Sequence, residues 1–267
     1  MHWDYVTNGF VKVCGHRGHS IGAPENTAAA LTATRRLGGQ SAEIDTVLTA
    51  DGQIVVIHDL TVDRTTNGSG AVYQMTLAQV QALDAGHWFA PEFAGEHIAT
   101  LAEAIALAQV HDLHLEVEVK EHRDLATYAR ALAPLLEDPA ARDRVMMISF
   151  NHVDMHWLKS QIPGIRTQGI IHARHGDPVQ VARSAGLDSL SVELGMFHPD
   201  DALALHDAGI FIRCHAYKPA SIAAMQAMGI NIRPDLIDWL RAGLIDTLSG
   251  DDVAWLAQIV AEAGVAA

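Results

Sequence analysis

The sequence predicts an α/β fold, a closed (β/α)8 TIM barrel. Three observations predict it. Short β-rich runs alternate with helix-like runs through most of the 267 residues. A glycine recurs between a helix-like run and the next β-rich run, at Ala185-Gly186, Ala208-Gly209 and Met228-Gly229, as expected at helix C-termini. The barrel-type runs begin at Val11, Ala42, Leu113, Val145, Ile165, Ser189, Ile210 and Gly229, and that number of parallel strands closes such a barrel.

The elements follow in order. Residues 11–14 form a short apolar strand. Residues 27–37 have helical composition, with Pro24-Glu25-Asn26 as the start and Gly38-Gly39 as the stop. A second strand spans 42–48, and a β-rich run at 54–57 lies behind the turn Asp51-Gly52. Further barrel strands are expected at 113–119, 145–150, 165–171, 189–192, 210–214 and 229–232. Helices at 125–136, 153–160, 178–185, 200–208 and 220–228 separate them. The stretch 59–100 breaks the rhythm. It is turn-rich, carries Trp88, Phe89 and Phe93, and is too long for an ordinary strand-to-helix loop. With a short helix at 76–83 it reads as a cap segment inserted after the second strand, folding over the barrel mouth. One domain, 1–267, is expected.

A net charge of -14 argues against nucleic acid or an anionic membrane surface as a partner. A small anion still binds where local Arg, Lys and a metal reverse the field. The N-terminal stretch M-H-W-D-Y-V-T-N-G-F lacks the apolar centre of a secretory signal. No run of about 18 apolar residues offers a membrane span. A cytoplasmic location is expected by default. Cys14 and Cys214 read as two reduced, buried thiols.

The chemistry-bearing residues concentrate between Cys14 and Gly70, with a second group at residues 113–120. Glu43 and Asp45 are two apart in a strand, so both carboxylates point to one face. Such a pair is costly to bury without a cation, and hard oxygen donors favour Mg²⁺, Ca²⁺ or Mn²⁺ over zinc. Taken alone, the pair fits a salt-bridged barrel rim better than a metal site. L-H-L-E-V-E-V-K, ending at Lys120, alternates strictly and puts His114, Glu116, Glu118 and Lys120 on one face. Glu118 and Lys120 lie nearer the C-terminal end of the strand, the catalytic end of a barrel. The same alternation suits a half-solvated edge strand.

His16-Arg17-Gly18 follows the first strand directly, and His58-Asp59 ends the apolar run I-V-V-I. An imidazole at a strand end suits proton transfer near neutral pH, and an arginine fork matches phosphate. His16 and His58 stand out by position among 16 histidines. His2, His97, His111, His122 and His206 read as surface or packing residues.

H-R-G, P-E-N-T, E-I-D, D-G-x-x-V-V-x-H-D and D-R-T-T-N-G-x-G, in that order, resemble the glycerophosphodiester phosphodiesterases. L-D-A-G-H-W-F, P-E-F-A-G-E, E-V-K and I-S-F extend the likeness over roughly residues 11–150. The resemblance implies a (β/α)8 barrel that hydrolyses glycerophosphodiesters to glycerol 3-phosphate and an alcohol with a divalent cation. Position by position, His16 and His58 match the catalytic pair. Arg17 and Lys120 match the phosphate-binding residues, and Glu43, Asp45 and Glu118 the metal ligands. The small-molecule glycerophosphodiester is then the partner. Departures lie in the C-terminal third: C-H-A-Y-K-P with His215, N-I-R-P-D-L at the close, and His172, Arg174 and His175 in one loop. Glu116 is a further departure. The C-terminal changes fall where the organic group would bind. A lysophospholipase D- or sphingomyelinase D-like lipid phosphodiesterase on the same barrel, and a non-catalytic metal- or phosphate-binding barrel, are the alternatives.

Overall fold

The computed structural model describes residues 10–266. Residues 1–9, with His2 and most of the stretch read for targeting, lie outside them. The strands are β1 (Lys12–Gly15), β2 (Ser41–Leu48), β3 (Ile54–Val56), β4 (His114–Val119) and β5 (Val145–Ser149). They continue with β6 (Arg166–Ile171), β7 (Ser189–Glu193), β8 (Phe211–His215) and β9 (Thr247–Gly250). All but β3 run parallel, in the order β1-β9-β8-β7-β6-β5-β4-β2, and β1 pairs with both β2 and β9. The sheet therefore closes as a TIM barrel with helices between successive strands.

Period-two alternation sorts the side chains. Val13, Ile44, Leu115, Val117, Met147 and Leu190 join the apolar layer between strands and helices. Their neighbours Lys12, Ser41, Glu116, Gln168, Ser189 and Arg213 are buried on the opposite face, inside the barrel. Polar groups there need partners. Arg213 Nε lies 2.8 Å from Glu116 Oε2, and Gln168 Nε2 donates to Ser189 Oγ at 2.9 Å. Cys14 and Cys214 are free and buried.

The eighth barrel strand is Thr247–Gly250, not 229–232. Gly229 adopts φ 86° after the Pro219–Ala227 helix, and Ile230 N–H donates back to Met225 O at 2.9 Å. The glycine punctuation there ends a helix without starting a strand, and the chain enters a further helix, Arg233–Arg241. The true strand carries polar inward residues, Thr247 and Ser249, and so shows little β-rich signal. Helices Leu101–His111 and Val253–Ala263 add to those expected from sequence. A Thr100–Glu103 capping box starts the first of these.

Two features position the site. β2 runs past the barrel rim, and β3 returns antiparallel along its last residues, with Thr46 opposite Val56. Ile57 N–H then donates to Asp45 O at 2.9 Å, which sets His58 beside the acidic strand. The segment 59–100 has a small core of its own, in which Val62, Val72, Val80, Ala85 and Ile98 pack on Val47, Val55 and Ile57. The short helix inside it spans Leu77–Gln81. Among the described residues no helix is long and apolar enough to cross a membrane.

Candidate active site

The loop after β1 is held in a demanding backbone conformation. Arg17, Gly18 and Asn26 have φ of 57°, 79° and 61°. The left-handed region costs a non-glycine residue about 1–2 kcal/mol, and such strain concentrates at functional sites. Here it aims two groups. The Arg17 backbone N–H donates to Glu43 Oε2 at 2.9 Å. The Asn26 side chain donates to Asp45 Oδ2 at 2.8 Å and accepts from the Asp45 N–H at 3.0 Å. Gly18 is required by proximity as well, since a Cβ there would lie 2.7 Å from the Ala30 backbone.

Asp45 on β2 stands opposite Glu118 on β4 in the ladder, and Glu43 opposite Glu116. Glu43, Asp45 and Glu118 each present an oxygen within 4.8 Å of the others. All three are buried. Burial, then the charges of Asp45 and Glu118, push the Glu43 carboxyl well above its ordinary value. Burial and Asp45 raise Glu118 likewise. Burial also opposes ionisation of Asp45, but Arg17, Lys120 and His58 overcome it and hold this group low. Glu43 Oε1 has no hydrogen-bond partner, and Asp45 Oδ1 meets only the Lys120 ammonium, at 3.2 Å. Breaking the balance of a buried charge cluster costs about 3–5 kcal/mol, so three converging hard oxygens, with Glu43 Oε1 unpartnered among them, fit a divalent cation.

Cationic side chains line the edge of this cluster. Arg17 Nε is 3.2 Å from Asp45 Oδ2, and Lys120 Nζ is 2.7 Å from Glu118 Oε1 and 3.2 Å from Asp45 Oδ1. Both retain donors for an anionic oxygen. His16 and His58 flank the carboxylates. His16 Nε2 is 3.9 Å from Glu43 Oε2, and His58 interacts electrostatically with Asp45 and Glu118. Each ring is anchored through its other nitrogen. His16 Nδ1 donates to Asp251 Oδ1 at 2.7 Å, and His58 Nδ1 donates to Asp59 Oδ1 at 2.6 Å. A carboxylate only accepts, so in the neutral rings the proton sits on Nδ1 and Nε2 is left to exchange one. Arg64 hydrogen bonds, then the His58 bond, bring Asp59 down to about 2. Arg64 also forks onto Glu25, which accepts from Arg17 Nη1 at 2.9 Å.

Two cavities meet at His16. One, of about 140 Å³, is lined by Glu43, Glu118, Ile148, Ile170, Ser191 and Arg213 among others. The other, of about 420 Å³, reaches from Arg17 and Glu25 to Tyr217, Lys218 and Asp251.

Residues 16–254 match the model of the Glycerophosphoryl diester phosphodiesterase family. The chain belongs to this family. It is 40% identical over 157 residues to a glycerophosphodiester phosphodiesterase of Caldanaerobacter subterraneus subsp. tengcongensis. That match takes in 58% of this chain and 64% of the relative, just under two thirds of its length. An Oleispira antarctica phosphodiesterase, solved in complex with the product sn-glycerol-3-phosphate, superposes with a TM-score of 0.81 at 25% identity. The likeness covers 96% of this chain and 99% of that one. A glycerophosphodiester phosphodiesterase from Agrobacterium tumefaciens str. C58 gives 0.76 at 26% identity, over 93% and 100% of the two chains. The family depends on a divalent metal, which agrees with the acidic cluster.

Within the family fold, the structure gathers the predicted set His16, Arg17, Glu43, Asp45, His58, Glu118 and Lys120 at one mouth. Sequence reasoning missed the residues that hold them. Asn26 and Glu25 stand in P-E-N-T, which read as a helix start and as part of the family motif, with no site role given to either residue. Asp251 follows the strand that sequence placed elsewhere, so the barrel closes on Ser249-Gly250-Asp251-Asp252 rather than on N-I-R-P-D-L. His206, read as surface or packing, is tied to Asp246 Oδ2 at 2.8 Å.

Proposed function

We propose that this chain is a metal-dependent phosphodiester hydrolase that cleaves glycerophosphodiesters to sn-glycerol 3-phosphate and an alcohol. One observation carries the reading. Two imidazoles, each anchored by a carboxylate through Nδ1, flank three convergent buried carboxylates. Binding alone needs no paired acid and base, so this favours catalysis over a passive metal- or phosphate-binding barrel. Glu43, Asp45 and Glu118 would hold the cation, with Mg²⁺ or Ca²⁺ preferred and Mn²⁺ acceptable to the same donors. When bound, such an ion supplies charge neutralisation to the phosphoryl oxygens.

The chain's own groups do the rest. Arg17 and Lys120 orient the phosphate and offset its remaining charge. One imidazole takes a proton at Nε2 from the attacking oxygen, which is water or the glycerol hydroxyl next to the ester. The new P–O bond forms as the P–O bond to the alcohol breaks, and the other imidazole, which enters the step protonated on both nitrogens, delivers its Nε2 proton to the departing oxygen. Attack by the hydroxyl gives a cyclic phosphate, which water opens by the reverse proton traffic. The Asp251 and Asp59 carboxylates keep each ring in the productive tautomer. Two buried free thiols are consistent with a reducing, cytoplasmic setting.

The test is turnover of glycerophosphocholine, glycerophosphoethanolamine, glycerophosphoglycerol and bis(p-nitrophenyl)phosphate, with EDTA and single metals restored. Positioned acid–base groups contribute about 10²–10⁴-fold, so His16→Ala and His58→Ala should each lose at least about 10²-fold. Near-normal turnover in both would remove them from the mechanism, and activity surviving full chelation would remove the metal.

A further inference from the structure

The smaller cavity holds a group that the acid–base machinery does not use. Arg213, on β8, is 4% exposed and lines this cavity. Its Nη1 donates to Ser191 Oγ at 2.8 Å, and its Nε faces Glu116 Oε2 at 2.8 Å. Its Nη2 has no hydrogen-bond partner. The pair Ser191–Arg213 lies one layer below Glu193–His215 in the β7–β8 ladder, so the free donor sits at depth rather than at the rim. Ile148, Ile170 and Val192 supply apolar walls, and Glu43 and Glu118 line the same space.

Resting on the hydrolase reading, we infer that Arg213 and Ser191 determine specificity, requiring the glycerol moiety to enter this cavity with its terminal hydroxyl free. The requirement follows from charge, size and depth. Glu116 already balances the guanidinium, at 2.8 Å from its Nε, so a second anion is disfavoured. An uncharged acceptor suits the free Nη2, and a hydroxyl is such an acceptor. A cavity of about 140 Å³ has room for a few waters at about 30 Å³ each, which suits a three-carbon polyol. Aliphatic walls match its C–H faces. An acyl chain on that hydroxyl keeps the group at the mouth and leaves Arg213 unmatched. A site built to hydrogen-bond a hydroxyl discriminates strongly against an analogue that cannot supply it. Lysophospholipids are therefore excluded as good substrates.

The test compares pairs that share a leaving alcohol. Glycerophosphocholine should exceed both its 1-acyl derivative and 2-hydroxyethyl phosphocholine in kcat/KM by about 10²-fold or more, mostly through KM. Ser191→Ala should shrink that ratio by about tenfold or more while altering bis(p-nitrophenyl)phosphate turnover less. Because Arg213→Gln alone strands Glu116, the Arg213→Gln/Glu116→Gln double variant is the second arm, with folding checked by circular dichroism. Calorimetry gives an independent readout, in which sn-glycerol 3-phosphate should bind tighter than 2-hydroxyethyl phosphate to wild type and not to the double variant. Equal rates on the acylated and free substrates, or an unchanged ratio in Ser191→Ala, would overturn the assignment. Absence of turnover on every diester would instead remove the hydrolase reading, and the calorimetric preference would still decide the cavity.

Discussion

His16 Nδ1 and Asp251 Oδ1 lie 2.7 Å apart, and this contact joins the end of the first barrel strand to the end of the last. The His16 backbone N–H also donates to Gly250 O at 2.9 Å, so ring and backbone are fixed to the same strand end. Burial opposes ionisation of Asp251, yet the His16 hydrogen bond and Lys218 hold its pKa well below the usual carboxylate range. Asp251 therefore stays ionised throughout any ordinary assay and keeps accepting from Nδ1. Asp251→Asn offers an amide that presents either a donor or an acceptor, and the tautomer is no longer fixed. We expect kcat to fall by about 10²-fold or more with KM nearly unchanged. Steady-state kinetics beside an unchanged circular dichroism spectrum check this, and wild-type kcat would dismiss Asp251 as a positioning residue.

Asn26 tests how far the strained loop supports the acidic strand. Its side chain satisfies both an oxygen and the backbone N–H of Asp45, while its backbone sits at φ 61°. Asn26→Ala loses both bonds and strains the backbone. Asn26→Gly loses the same bonds without strain. Each stranded buried group costs about 1–3 kcal/mol, and the backbone difference is about 1–2 kcal/mol. Urea unfolding should therefore rank wild type above Asn26→Gly and Asn26→Gly above Asn26→Ala. Equal stability of the two variants would show that the left-handed conformation carries no cost here.

The closed barrel was legible because strand and helix periods alternate cleanly in this chain, and the cap because 59–100 is too long to be a plain connection. The acidic cluster was legible because Glu43, Asp45 and Glu118 sit at fixed offsets on two strands that prove adjacent. Asp251 was not. It is 235 residues from His16, and the strand before it hides its β character by turning Thr247 and Ser249 into a polar barrel interior. The second role of Asn26 was hidden for another reason: P-E-N-T is a valid helix start, and Thr27 does cap that helix. Only the fold shows that the residue before the cap also reaches Asp45. Arg213 gave no signal at all, because one arginine in an apolar run is ambiguous until its ladder partner is known.

Glu43 measures the electrostatic tension of the cluster. Its carboxyl is buried beside Asp45 and Glu118, and its Oε1 lacks a partner. In metal-free protein Glu43→Gln removes that repulsion while an amide oxygen can still accept from the Arg17 N–H. Its Tm without metal should equal or exceed that of wild type, with a gain of about 2 °C or more per kcal/mol relieved. Wild type should gain Tm on adding Mg²⁺ or Ca²⁺, by linkage worth about 2.7 kcal/mol at a hundredfold excess over Kd. Glu43→Gln should lose most of that gain together with its turnover. A metal-free Glu43→Gln that melts well below wild type would mean the carboxylate is stabilising without a cation, which the repulsion argument forbids.

His215 sets an acid limit on the fold. Its ring meets that of His16 edge-on at 4.9 Å, and Nδ1 pairs with Ser249 Oγ at 3.1 Å. Burial, then the charges of Arg213 and His16, lower its pKa to about 3. In the unfolded chain an ordinary histidine titrates near about 6.5. Between those values the unfolded state binds the extra proton, so stability rises with pH there and is lost as pH falls through the window. His215→Gln removes this one titration and leaves every carboxylate in place. Urea midpoints taken at steps from about pH 7.5 to about pH 4 should fall less steeply for the variant than for wild type. Parallel curves would mean that His215 accepts its proton in the folded protein as readily as in the unfolded one, against its burial and the neighbouring Arg213 guanidinium.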